Sequence, residues 1–181
     1  MTRTERAGPV AVVEPAPGPP AGRTASGAAA QMLGWLRGEP LHVPSHALVV
    51  HFPAALLPTS LVVDVVGRAD PALGLGRTAS VMLVAGLAGG AAAAVTGLLD
   101  WIRMLPGPRR SRVTRHLLLQ VGALLAFGLS LVVRAAAPDS PASTPALALS
   151  LAGTLPLILG NHLGGLLVYR DGLRVRSSRP G

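Results

Sequence analysis

The chain contains no cysteine and no lysine. Without cysteine there can be no disulfide, no thiolate metal site and no thiolate-held iron–sulfur cluster. The redox compartment therefore stays open. Charge is scarce too: 13% of residues are charged, against about 25% in soluble domains. What charge there is leans one way, with a formal net charge of +8 carried entirely on arginine. Such a balance suggests nucleic acid as a partner. The arginines, however, flank apolar runs, where the positive-inside rule already accounts for them, so no nucleic-acid role is assigned. No phosphate-binding loop or nucleophile motif is present, which argues against an NTPase or a hydrolase.

What the chain does have is hydrophobic residues, 50% of 181, and a mean hydropathy of +0.50. Four apolar stretches, about 45–67, 79–104, 116–133 and 145–169, each approach the roughly 20 residues that cross a bilayer. Pro44 suits the first turn of the first span. Pro53, Pro58 and Pro156 fall inside spans, where membrane helices tolerate them as kinks. Short connections between spans favour an antiparallel up-down bundle. The expected fold is thus an all-α, integral membrane four-helix bundle over 44–170. No internal repeat stands out.

Residues 1–43 are rich in Pro, Ala and Gly, as in Pro17-Gly18-Pro19-Pro20, and are expected to form a disordered tail. Within it, 28–37 carries Met32, Leu33, Trp35 and Leu36. It reads equally as a short helix lying on the membrane surface or as a partly ordered tail. Residues 171–181 form a basic tail. Arg3, Arg6, Arg23, Arg37, Arg103, Arg109, Arg110, Arg112, Arg115, Arg170, Arg174, Arg176 and Arg179 fall on one side of the expected topology. Only Arg68, Arg77 and Arg134 fall on the other. Both termini are therefore expected in the cytoplasm, with Trp35, Trp101 and Tyr169 at the inner interface of a bacterial cytoplasmic membrane.

The informative residues are the ionisable and amide side chains inside the spans, because such groups are costly in hydrocarbon. His46, His51, Asp100, His116, Gln120, Asn161 and His162 all lie toward the inner face; Asp64 alone sits at the outer end. Helical stripes bring them together. Asp100 continues a small-residue stripe through Gly97, Thr96, Ala93, Gly89 and Gly86. His116 and Gln120 share a face with Ala123, Phe127 and Ser130. Asn161 and His162 lie beside the Gly160/Gly164 pair. His51 and His162 are expected at one depth, well inside. His46 and His116 lie nearer the surface and read equally as wet interfacial rings. Asp100 reads equally as a partner of Arg103, and Asp64 more readily as a partner of Arg68 four residues on. Gln120 and Asn161 read equally as hydrogen-bonding glue between helices.

The stretch Ser45-His46-Ala47-Leu48-Val49-Val50-His51-Phe52-Pro53 resembles the opening motif of a bacterial four-helix membrane family, domain of unknown function 2231. Asp64, Thr96-Gly97-Leu98-Leu99-Asp100-Trp101, His116 and Leu163-Gly164-Gly165-Leu166-Leu167-Val168-Tyr169-Arg170-Asp171-Gly172 add to the likeness. Ala47 stands where the family has proline, and Gln120 where asparagine is common. The resemblance spans about 42–175 and implies a four-helix membrane domain without an assigned activity. Its association with Rieske-type and cytochrome c-type domains implies proximity to electron transfer.

Three readings stay open at this stage. The first is a structural or partner-binding membrane subunit, of a redox complex or another assembly, that uses the polar cluster to fix helix register. The second is a b-type haem or metal module, with His51 and His162 as the first choice of axial pair and His46 with His116 as the second. In it Arg103 and Arg115 would meet propionates, and Asp100 or Asn161 would fix a tautomer. The third is a proton or small-solute carrier.

Overall fold

The computed structural model describes residues 25–36, 40 and 45–172. Most of the expected N-terminal tail and the end of the basic C-terminal tail lie outside them. The described elements are all helical: α1 (Ala25–Leu36), α2 (Ser45–Val49), α3 (His51–Ala69), α4 (Gly76–Trp101), α5 (Pro108–Arg134) and α6 (Thr144–Tyr169). Helices α2 and α3 together form one span, Ser45–Ala69, interrupted at Val50. Pro53 explains the interruption: it has no N–H to give the carbonyl of Val49. The chain bridges the gap with Val50 N–H to His46 O at 3.0 Å and Ala54 N–H to Val50 O at 3.2 Å.

All four spans are long and apolar enough to cross a membrane. Only 17–28% of each span's most apolar window is buried inside the bundle, so most of that apolar surface faces outward. Inside and outside are inverted relative to a soluble protein. Val62, Leu118, Leu125 and Val132 point out, while Ala79, Gly86, Ser60, Ser130 and Ser150 are buried. Small residues inside let the backbones approach closely, which is the packing available when lipid is as apolar as leucine. A compact cluster of Leu57, Leu83, Ala123, Phe127 and Leu157 fills the bundle's middle.

The helices pair as two hairpins, α3 with α4 and α5 with α6, and these hairpins repeat each other. Ser60-Leu61-Val62-Val63-Asp64 recurs as Ser130-Leu131-Val132-Val133-Arg134, a separation of 70 residues (60 to 130). At the same separation His46 matches His116 and Leu57 matches Phe127. Residues 51–60 and 121–130 run through exposed, half-buried and buried positions in the same order. The second helices match at a separation of 67 residues (86 to 153), pairing Ala79 with Ala146, Gly86 with Gly153 and Gly97 with Gly164. Equivalent packing follows. A Cβ on Gly86 would meet Leu57 at 2.7 Å, and one on Gly153 would meet Phe127 at 2.8 Å. The expectation of no internal repeat is thus overturned. Both hairpins run the same way through the bundle, so the repeat is parallel, about a pseudo-twofold axis along the bundle.

Asp64 and Arg134 occupy equivalent positions in the two halves and pair with each other. The guanidinium donates to both carboxylate oxygens, at 3.0 and 2.6 Å, with the two side chains 0% and 4% exposed. Asp64 therefore does not pair with Arg68, as the four-residue spacing suggested. Arg68 reaches across to Ala142 O at 2.8 Å and Thr144 Oγ1 at 2.9 Å. A planar fork from a facing helix satisfies both oxygens of a buried carboxylate, which a neighbour on an exposed edge of the same helix does not.

Candidate functional site

Opposite the Asp64–Arg134 end, a cavity of about 250 Å³ opens between the hairpins. His46, Asp100, His116, Gln120 and Asn161 line it, and Leu124 and Leu157 close its inner end. Five of the seven residues singled out from the sequence therefore meet at one place. His51 and His162 do not. Both are exposed, and the Nδ1 of His51 lies 3.4 Å from Leu48 O on its own helix. Neither faces the cavity. His51 follows His46 by five residues, and His162 follows Gly160 by two. At about 100° per residue either step turns a side chain off the inward stripe.

The two cavity histidines are held in the same way. His46 Nδ1 lies 2.9 Å from Ala93 O on α4, and His116 Nδ1 lies 2.7 Å from Gly160 O on α6. A carbonyl oxygen only accepts, so each Nδ1 must carry the hydrogen. In the neutral ring this leaves the Nε2 lone pair free to act as a ligand. Each ring rests on a glycine four residues beyond its carbonyl. A Cβ on Gly97 would meet His46 Cε1 at 3.2 Å, and one on Gly164 would meet His116 Cε1 at 3.1 Å. Sequence reading found the two glycines as part of small stripes, but not the carbonyls that orient the imidazoles. The signal was a glycine four residues past each accepting position. The rings themselves are 6.5 Å apart between centroids and nearly perpendicular, at 87°.

The surrounding polar groups complete each half. Thr96 is buried beside His46 and donates to Ala93 O at 3.0 Å. Gln120 Nε2 donates to Asn161 Oδ1 at 2.7 Å, the interhelical bond that the sequence allowed for these residues. Every one of these bonds stays within its own hairpin, so they leave the slot between the hairpins open. At the mouth, Trp101 Nε1 donates to Thr114 Oγ1 at 2.9 Å, and the guanidinium of Arg110 stacks 4.5 Å from the indole centroid. Arg109 and Arg112 bind Asp171, which ties the start of α5 to the chain just beyond α6. Among the described residues, no group of three or more His, Asp or Glu side chains could hold a metal ion.

Fold and site together define a multi-pass membrane bundle with a largely apolar, histidine-bearing cavity at one end. The family described as predicted membrane protein (DUF2231) matches residues 42–177, and the chain belongs to that family. No curated protein and no solved structure matches the chain.

Proposed function

We propose that the protein is a membrane-embedded binding module that holds a metal-centred ligand between its hairpins through His46 and His116. One observation carries this reading. Two imidazoles in equivalent positions line one cavity, each with Nδ1 fixed by a backbone carbonyl and each resting on a glycine. Fixing Nδ1 on a carbonyl sets the tautomer and the ring plane, and metal-ligating histidines are oriented in this way. A role limited to helix register is already met by Gln120 with Asn161 and by Asp64 with Arg134. A carrier role is disfavoured by the cluster of Leu57, Leu83, Phe127 and Leu157, which fills the bundle beyond the cavity.

The arginine distribution supports a cytoplasmic location for the mouth of this cavity and for both termini, in a bacterial inner membrane. The exposed apolar side chains of α1, Met32, Trp35 and Leu36, suit a helix lying on that same surface.

The test is metal analysis of detergent-purified protein from metal-replete cells. Stoichiometric metal should be present in the wild type, retained in His51→Ala and His162→Ala, and lost in His46→Ala and His116→Ala. A metal-free wild type, with the cavity variants merely less stable, would return the protein to the class of structural or partner-binding subunits.

A further inference from the structure

Building on the two-imidazole site, we infer that its ligand is a planar metallomacrocycle of the haem class, seated on the pseudo-twofold axis with His46 and His116 as its two axial ligands. Donor count is the first argument. Protein-bound zinc takes three or four protein ligands. Among the described residues no third His, Asp or Glu joins the two imidazoles in a metal-holding group. A macrocycle supplies the remaining four donors with its metal and needs only two from the protein.

Ring geometry is the second argument. Two imidazoles on opposite sides of one metal, each bonded at about 2 Å, have centroids about 6 Å apart; at a tetrahedral angle the separation falls to about 5 Å. The observed 6.5 Å fits the opposed arrangement. The 87° between ring planes is equally compatible with it, because axial imidazoles rotate independently about the metal–nitrogen bonds.

Symmetry and shape are the third. The repeat makes His46 and His116 equivalent, so a ligand on the axis meets the same imidazole from either side. Small residues line the slot, among them Ala47, Ala54, Gly90 and Ala94, and would face the apolar body of a macrocycle. At about 250 Å³ the cavity accepts such a body only with one edge projecting from the mouth. Carboxylate substituents on that edge would emerge near the arginines that surround the mouth, Arg103 in the α4–α5 turn and Arg110 and Arg115 in the first turns of α5.

The experiment titrates the detergent-purified, ligand-free full chain with haemin, and separately with zinc and copper salts. Haemin should saturate at one equivalent with a sharpened Soret band and a six-coordinate low-spin spectrum. Its EPR signal should be of the highly anisotropic low-spin type that perpendicular axial imidazoles produce. His46→Ala or His116→Ala should leave a five-coordinate high-spin species and weaken binding about tenfold or more. Because loss of an imidazole can also unfold the site, His46→Met and His116→Met form a second series. They supply a replacement axial ligand of similar reach, and should stay six-coordinate with a shifted spectrum. Haemin binding that ignores both histidines would overturn the inference. So would one-to-one zinc or copper binding without haemin binding, although that result keeps the two-imidazole site. Failure of all three probes would remove the site reading as well.

Discussion

Gly164 carries more of the site than its size suggests. His116 lies over it, and a Cβ there would sit 3.1 Å from the imidazole Cε1. Gly164→Ala should push the ring a few tenths of an ångström from Gly160 O and loosen the orientation of Nε2. Ligand affinity should fall by about tenfold, the range found when an outer partner of a ligating histidine is lost. Gly165→Ala is the control, because nothing lies within 4 Å of its added methyl. Binding should be unchanged there, and thermal stability held or raised. Parallel ligand titration and thermal unfolding check both; equal loss of affinity in the two variants would refute the ring-seat role of Gly164. At this scale the sequence was only partly legible. Depth along a helix follows from counting residues, and it placed all four span histidines near one face. Facing depends on the partner helix. His51 and His162 matched in depth but point outward, whereas His46 and His116, which read as wet, are the pair that meets.

Among the elements, the paired hairpins are held together at the end opposite the cavity by Asp64 and Arg134. The two repeats differ in charge at one equivalent buried position, and the opposite signs make each half require the other. Arg134→Ala would leave the Asp64 carboxylate buried without its fork, a change that costs about 3–5 kcal/mol in buried pairs. The exchange Asp64→Arg with Arg134→Asp should recover much of that loss, because the repeat places both positions in equivalent surroundings. Unfolding of the single and double variants in mixed detergent measures it. A double variant as unstable as the sum of its singles would show that the two sites are not equivalent. The repeat escaped sequence reading because it is written on one face only. Leucine and valine interchange freely where lipid is the neighbour, and that dilutes the identities. The inward positions carry the pattern, but two of them are Leu57 against Phe127 and Asp64 against Arg134. The Asp64–Arg68 expectation failed for a related reason. A four-residue rule compares neighbours on one helix, and the true partner lies 70 residues away.

For the molecule as a whole, composition was enough to give four spans, because hydrocarbon thickness sets span length; the helix that carries the third, α5, begins at Pro108, eight residues before His116, because its first two turns carry arginines rather than an apolar run. It was not enough to give the axis, which depends on how the hairpins meet. Orientation in the membrane rests on charge, and the absence of native cysteine makes it directly measurable. Leu105, 85% exposed in the α4–α5 turn, lies at the cavity end. Ser140, exposed in the α5–α6 connection, lies at the Asp64–Arg134 end. Single variants Leu105→Cys and Ser140→Cys would each carry the chain's one thiol. The arginine asymmetry predicts that an impermeant maleimide labels Ser140→Cys from outside intact cells and Leu105→Cys only in inverted vesicles. The reverse pattern would move the cavity mouth to the outer face. A ligand held there would exchange with the extracytoplasmic compartment, and the arginines beside the mouth would face the side that the charge rule assigns to few of them.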